Sequence, residues 1–317
     1  MRPLKLGLIG GGRWGKNIVR TILEEIPEIN IHYFITGNPA WKDIVGERCV
    51  YSKNWRDLLL CGDVDAVMLA IPSSMHYEVA SEFIKANIPL MMEKPMVLNG
   101  REAEALCQLA ESKKPIVRVD HIDLHNAAIN YVYSKQILGN EITSLDGHIG
   151  ASYERRREIT PLWEYSPHFI AVALQFANSK LIKLQASPHP SEIKIFGHEL
   201  VKVEMFFESG FYAKFIVGNG MLNKTRRMRL IGSKNIYLFD DQLENRLFEE
   251  DLEHKLLPVS NISMEKPLTS AIKSFGMAVR RGAPDFDDLY IGRNVVRILE
   301  LATKSLNRGG ATIYADF

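Results

Sequence analysis

The chain has 317 residues, 46% of them hydrophobic and 24% charged, with a net charge of +1 at pH 7. That balance is ordinary for a globular protein and gives no bias toward nucleic acid or a membrane surface. The length exceeds a single core of usual size and predicts two domains. Three well-separated cysteines, Cys49, Cys61 and Cys107, form no C-x-x-C pair, which argues against a zinc knuckle or a dithiol redox motif. No apolar run reaches the ~18 residues that span a bilayer, and the first residues lack a signal-peptide core. The expectation is a cytoplasmic protein.

The first 120 residues alternate strand and helix. Aliphatic runs at Leu4 to Ile9, Ile31 to Ile35, Ala66 to Ile71, Pro89 to Met92 and Ile116 to Val119 read as strands buried on both faces. Helical spacing appears between them at Lys16 to Glu25, Ala40 to Val45, Trp55 to Leu60, Tyr77 to Ala86 and Arg101 to Ser112. This pattern predicts an α/β, doubly wound parallel sheet of the Rossmann type over residues 1–120. The rest, 121–317, predicts an α+β domain. It opens with a helix from Asn126 to Ile137 and closes with helices near Thr269 to Arg281 and Leu289 to Ser305. Between them alternating runs at Leu181 to Gln185, Glu192 to Phe196, Val201 to Phe207, Phe211 to Val217, Arg227 to Ile231 and Ile236 to Phe239 predict a large antiparallel sheet.

After the first strand the chain reads "GGGRWG". Gly10, Gly12 and Gly15 satisfy G-x-G-x-x-G, and a strand before and a helix after give the motif its dinucleotide-binding context. Gly10 permits the tight turn, Gly12 lets a pyrophosphate approach the backbone, and Gly15 lets helix and strand pack. The helix N-terminus offers N–H groups to the phosphates. The second strand runs into Thr36, Gly37 and Asn38 instead of the carboxylate that binds a ribose diol. Neutral Thr36 would not repel a 2′-phosphate, and Arg13 is either its partner or a solvated loop residue. The cofactor is NADP or NAD, with a lean to NADP. Trp14 either packs or touches the cofactor.

Further along, the strand ending at Ile71 leads into "PSSMH" (Pro72 to His76), and the strand "LMM" ends in Glu93, Lys94 and Pro95. Later comes "PLWEYSPHF", with Trp163, Glu164, Pro167 and His168. With the glycine turn, these stretches resemble the Gfo/Idh/MocA family of nicotinamide-dependent oxidoreductases, which act mainly on sugars, cyclitols and nucleotide sugars. The resemblance implies that Ile71, Pro72, His76, Glu93 and Lys94 line the cofactor site. It also implies that Lys94 is the active-site lysine, that the Lys94–Pro95 peptide is cis, and that residues 121–317 form a substrate-binding and oligomerisation domain around an open-faced sheet. His168 matches the family's acid/base residue. Glu164, four residues earlier, stands where the family usually has aspartate, and Phe169 stands where it often has an acid. In "VRVDHIDLHNAA", His121 matches the family's histidine, whereas Asp120, Leu124 and Ala127 depart from its glycine, arginine and proline.

Hydride transfer needs a group that exchanges the hydroxyl proton and a positive group at the developing alkoxide. His168 takes the first role and Lys94 the second, with Glu164 orienting His168 or binding a substrate hydroxyl. His121, Tyr153 and Arg155 are further candidate substrate contacts, although the run Arg155 to Arg157 also reads as a solvated charged loop. Asp123, His121 and His125 read as pocket or surface residues, with no metal expected. The predicted protein is an NAD(P)-dependent oxidoreductase of a sugar-like secondary alcohol or ketone, working as a homodimer or homotetramer. The alternatives are a reductase of a non-sugar carbonyl or unsaturated compound and a non-catalytic dinucleotide-binding regulator.

Overall fold

A computed structural model describes residues 2–46, 48–139, 141–152, 159–250, 253 and 255–317. The expected contacts Tyr153 and Arg155 lie outside the described residues. By contacts the chain forms two compact units, one of Met1–Ile122 with Glu265–Val296 and the other of Asp123–Met264 with Arg297–Phe317. This division differs from a single cut near residue 120, because a late segment of the chain packs with its beginning.

The first unit begins β1 (Leu4–Ile9), α1 (Arg13–Glu25), β2 (Ile29–Ile35), α2 (Trp41–Val45), β3 (Val50–Ser52) and α3 (Arg56–Cys61). It continues β4 (Ala66–Leu69), α4 (His76–Lys85), β5 (Leu90–Glu93), α5 (Gly100–Lys113) and β6 (Val117–Asp120). The six strands order as β3-β2-β1-β4-β5-β6, and every pair is parallel. This is the doubly wound order, whose reversal beside β1 opens a crevice at the carboxyl ends of the strands. Ile18, Val19 and Ile22 recur along one face of α1 and are buried against the sheet.

The second unit carries α6 (Ala127–Ile137), β7 (Ile142–Ser152), α7 (Pro161–Ala177), β8 (Leu181–His189), β9 (Leu200–Phe207) and β10 (Tyr212–Gly218). Then follow β11 (Gly220–Gly232), β12 (Ile236–Asp240), β13 (Leu247–Glu250) and β14 (Leu256–Pro258). The chain ends with α8 (Pro267–Arg281), α9 (Asp287–Leu306) and β15 (Ile313–Tyr314). Nine strands order as β14-β13-β12-β11-β7-β10-β9-β8-β15. The expected antiparallel sheet is therefore corrected to a mixed one, because β10 pairs with β7 in parallel while the other pairs are antiparallel. After β7 the chain crosses through α7, returns as β8, and meanders back until β10 lies beside β7. One face of this sheet, with Leu145, Val203, Met205, Ala213 and Phe215, is buried, and α7 packs on β7, β9 and β10.

Helix α8 belongs to the first unit. Its Ala271, Ile272 and Phe275 join one apolar cluster with Ile18, Ile22 and Ile26. Burying a phenylalanine side chain contributes about 1.5–3 kcal/mol, so a helix with this apolar face packs wherever a matching cluster stands open.

Candidate active site

Most of the residues expected to hold the cofactor lie at the carboxyl ends of β1, β2, β4 and β5, along one edge of the parallel sheet. The glycine turn leaves β1 with Gly10 at φ +106°, where a Cβ would stand 2.2 Å from the Ala70 carbonyl oxygen. A Cβ on Gly15 would stand 2.1 Å from the Gly10 carbonyl oxygen. Both positions are closed to side chains by the protein's own backbone. Gly12 differs, since a Cβ there would meet nothing within 4 Å. Gly12 is also the N-cap of α1, whose first turn has no acidic residue and no side-chain cap. The first turn of α1 thus has no side-chain cap and its N-cap stands beside open space, which fits a phosphate-binding turn.

Thr36 follows β2, and its hydroxyl accepts the Asn38 N–H at 3.2 Å. The Trp41 indole donates to the Gly11 carbonyl at 3.1 Å and braces the turn from the side. Arg13 opens α1 and is exposed. Trp14 packs against the core beside α1.

His76 is fully buried and ties two loops of this edge together. Its Nε2 lies 3.1 Å from the Ile71 carbonyl, and its Nδ1 lies 3.1 and 3.2 Å from the carbonyls of Pro95 and Met96. Burial pulls its pKa down, against the three carbonyls that favour the charged ring. His76 thus braces the loops that carry Ile71, Pro72 and Lys94. The Lys94–Pro95 peptide is cis, as the resemblance implied.

Glu93 and Asp120 are register partners at the ends of β5 and β6. Burial raises the Glu93 carboxyl well above the usual range, the Asp120 carboxyl adds to the rise, and Lys94 opposes it. Two neighbouring carboxyls do not both ionise readily. His121 follows at the end of β6, 2% exposed, with its N–H on the Val119 carbonyl at 2.8 Å.

In the second unit, Thr160 caps α7 by accepting the Trp163 N–H at 3.4 Å, and Pro161 suits the first helical position. Glu164 is buried and lies one turn before His168 on this helix. The Trp163 indole donates to Thr303 Oγ1 at 2.9 Å and anchors the helix start. His168 Nδ1 lies 2.7 Å from Oδ2 of Asp123. The same oxygen accepts from Nη2 of Arg226 on β11, and that nitrogen lies 3.3 Å from His168 Nδ1. Burial would raise the Asp123 pKa, but the Arg226 charge and the His168 contact outweigh it and hold the carboxyl far below its usual range. Among the described residues no group of three His, Cys, Asp or Glu side chains is placed to hold a metal ion.

Residues 4–121 match the model of an oxidoreductase family with an NAD-binding Rossmann fold. The chain is 23% identical over 256 residues to UDP-N-acetylglucosamine 3-dehydrogenase of Acidithiobacillus ferrooxidans, covering 75% of this chain and 77% of that protein. A solved structure of that enzyme superposes with a TM-score of 0.84 at 20% identity, covering 98% of this chain and 99% of the other. The scyllo-inositol dehydrogenase of Lactobacillus casei, solved with NAD(H) and scyllo-inositol, gives 0.83 at 17% identity over 99% of both chains.

Residues 4–121 are thus similar to the NAD-binding domain of the Gfo/Idh/MocA oxidoreductases. That match and the dehydrogenase relatives are consistent with an NAD(P)-dependent oxidoreductase.

Two departures from the Gfo/Idh/MocA pattern have physical accounts. Phe169, where the family often has an acid, is fully buried, and its ring meets Phe215 edge-on at 5.5 Å. A Cβ on Gly147 would lie 2.6 Å from that ring, so the glycine makes room for it. Phe169 is therefore a core residue of the second unit. Asp120, where the family has glycine, pairs with Glu93. The partners of His168 were missed in the sequence, because Asp123 and Arg226 lie 45 and 58 positions away along the chain. In the sequence Asp123 stands only in the group with His121 and His125, which reads equally as pocket or surface residues.

Proposed function

We propose that this oxidoreductase transfers a hydride between NADP(H) and a secondary alcohol or ketone of a sugar, cyclitol or nucleotide sugar. The observation that carries the reading is the open space beside Gly12, at the crevice edge of a sheet whose β5 ends directly in Lys94. The nicotinamide supplies the hydride when bound. Gly10, Gly12, Gly15 and the first turn of α1 hold the diphosphate. Thr36 and Arg13 accept a 2′-phosphate without a repelling carboxylate. Lys94 polarises the substrate oxygen as charge develops on it. His168 exchanges the hydroxyl proton, and Glu164 binds a neighbouring hydroxyl. His121, Tyr153 and Arg155 are assigned to substrate contacts. Three free cysteines accord with a reducing cytoplasm. The sheet face opposite α7 is assigned to a homodimer or homotetramer, which light scattering measures.

Two measurements test the function. Nicotinamide fluorescence during titration is expected to show NADPH binding more tightly than NADH, and the opposite order overturns the 2′-phosphate reading. Turnover is then measured over a panel of UDP-sugars, dTDP-ketosugars, inositols and non-sugar carbonyls. Lys94→Ala and His168→Ala are each expected to lower kcat about 10²–10⁴-fold. Turnover confined to a non-sugar carbonyl overturns the substrate class. Unchanged kcat in Lys94→Ala overturns the site.

A further inference from the structure

The His168 cluster contains two residues that the family pattern did not supply. Asp123 is 1% exposed, and its Oδ2 receives both His168 Nδ1 and Arg226 Nη2. An ionised carboxylate only accepts hydrogen bonds, and a neutral imidazole carries one N–H. The proton of neutral His168 therefore sits on Nδ1, and Nε2 carries the lone pair. Arg226 is 18% exposed at its side chain and adjoins the same oxygen. Its positive charge keeps Asp123 ionised and opposes a second proton on the nearby ring.

We infer that Asp123 is a positioning residue for His168, selecting the tautomer that presents Nε2 to the substrate proton, with Arg226 holding Asp123 in its charged form. This rests on the reading of His168 as the acid/base group. It removes from Glu164 the task of orienting the ring, although Glu164 is the carboxylate that the family pattern offers. Among the described residues, Asp123 from the turn before α6 and Arg226 from β11 contact His168, and Glu164 lies one turn before it on its own helix. On the strands packed against α7, Gly147 and Phe215 meet the neighbouring Phe169.

The test needs neither cofactor nor substrate. Imidazole nitrogen and carbon shifts are recorded on the full chain with labelled histidine, and His168 is assigned by its loss in His168→Asn. Wild type is expected to show the Nδ1–H form at neutral pH. Asp123→Asn leaves Arg226 beside the ring without its counter-charge, and is expected to lower the His168 protonation constant at least tenfold and to mix the tautomers. Arg226→Met is expected to raise that constant. The double variant Asp123→Asn/Arg226→Met removes both charges, so it guards against a fold lost to an unpaired arginine, and it is expected to keep the mixed tautomers while the two charge effects offset. The other histidines report whether the fold persists. A His168 tautomer and titration unchanged in Asp123→Asn and in the double variant overturn the inference. In turnover, Asp123→Asn is expected to lower kcat with KM nearly constant. If no sugar is turned over while the tautomer responds as stated, the substrate reading falls and the positioning role stands.

Discussion

At Gly10, Gly12 and Gly15 one residue type does three separable jobs, and a methyl group distinguishes them. Gly15→Ala places a Cβ 2.1 Å from a backbone oxygen, and Gly10→Ala adds a strained φ to a 2.2 Å clash. Both are expected to lower the melting temperature clearly. Gly12→Ala meets nothing in the protein, so its stability is expected to stay within about 0.5 kcal/mol of wild type. Its methyl occupies the space assigned to phosphate, and NADPH affinity is expected to fall at least about tenfold, or ~1.4 kcal/mol. Calorimetry and cofactor titration on the three variants check this pattern, and equal losses of stability contradict it. The glycine roles were legible in the sequence because they follow from local chain geometry. Asp123 was not legible, because an acid between two histidines four residues apart has many ordinary uses. Its use here depends on a strand far along the chain bringing Arg226 to it.

Loops and strands add a second set of consequences. His76 joins the loop after β4 to the loop after β5 through three carbonyls. His76→Ala leaves those groups buried without their partner and opens a cavity, a cost of about 2–4 kcal/mol, measurable by denaturant unfolding. Glu93 supplies a pH-dependent test. Its folded pKa is raised, so the folded state keeps a proton that the unfolded chain has already released. That stabilising proton is fully present below the unfolded value of about 4.5 and is lost as pH rises through the folded value. Glu93→Gln is therefore expected to melt higher than wild type in alkaline buffer, with the difference shrinking as the pH is lowered toward 4.5.

At the same scale, β7 escaped the sequence reading because Gly147 and Gly150 interrupt its apolar alternation. Both glycines are sites of close approach, to the Phe169 ring and to the Gly218 carbonyl. Conversely "EIKIF" alternates like a strand but pairs with none. Ser191 ties its start back on itself through Ile193 and Gly220, and Phe196 stands fully exposed. Alternation reports a face, not a partner. The parallel strands β1, β4, β5 and β6 were legible because burial on both faces leaves an unbroken aliphatic run.

At the scale of the whole molecule, the first unit draws on two separate stretches of chain. Phe275→Ala removes the largest side chain that α8 contributes to the cluster around α1, at a cost of about 3–5 kcal/mol. Hydrogen exchange is expected to accelerate in β1 and β2 while β9 and β10 keep their protection. Uniform acceleration contradicts the assignment of α8 to the first unit. The late position of α8 was visible as a helix in the sequence, but its allegiance was not, because amphipathic spacing states which face is buried and leaves open against what.

That placement has a consequence for the newly made chain. Strands β1 to β6 leave the ribosome early, yet the helix that covers the α1 cluster is about 160 residues behind them. At ordinary elongation rates this amounts to on the order of ten to thirty seconds. During that interval Ile18, Ile22, Ile26 and their neighbours lack the apolar side chains of Ala271, Ile272 and Phe275. During that time the nascent first unit is expected to bind chaperones that recognise exposed aliphatic surface, which crosslinking of chains stalled before and after α8 would measure.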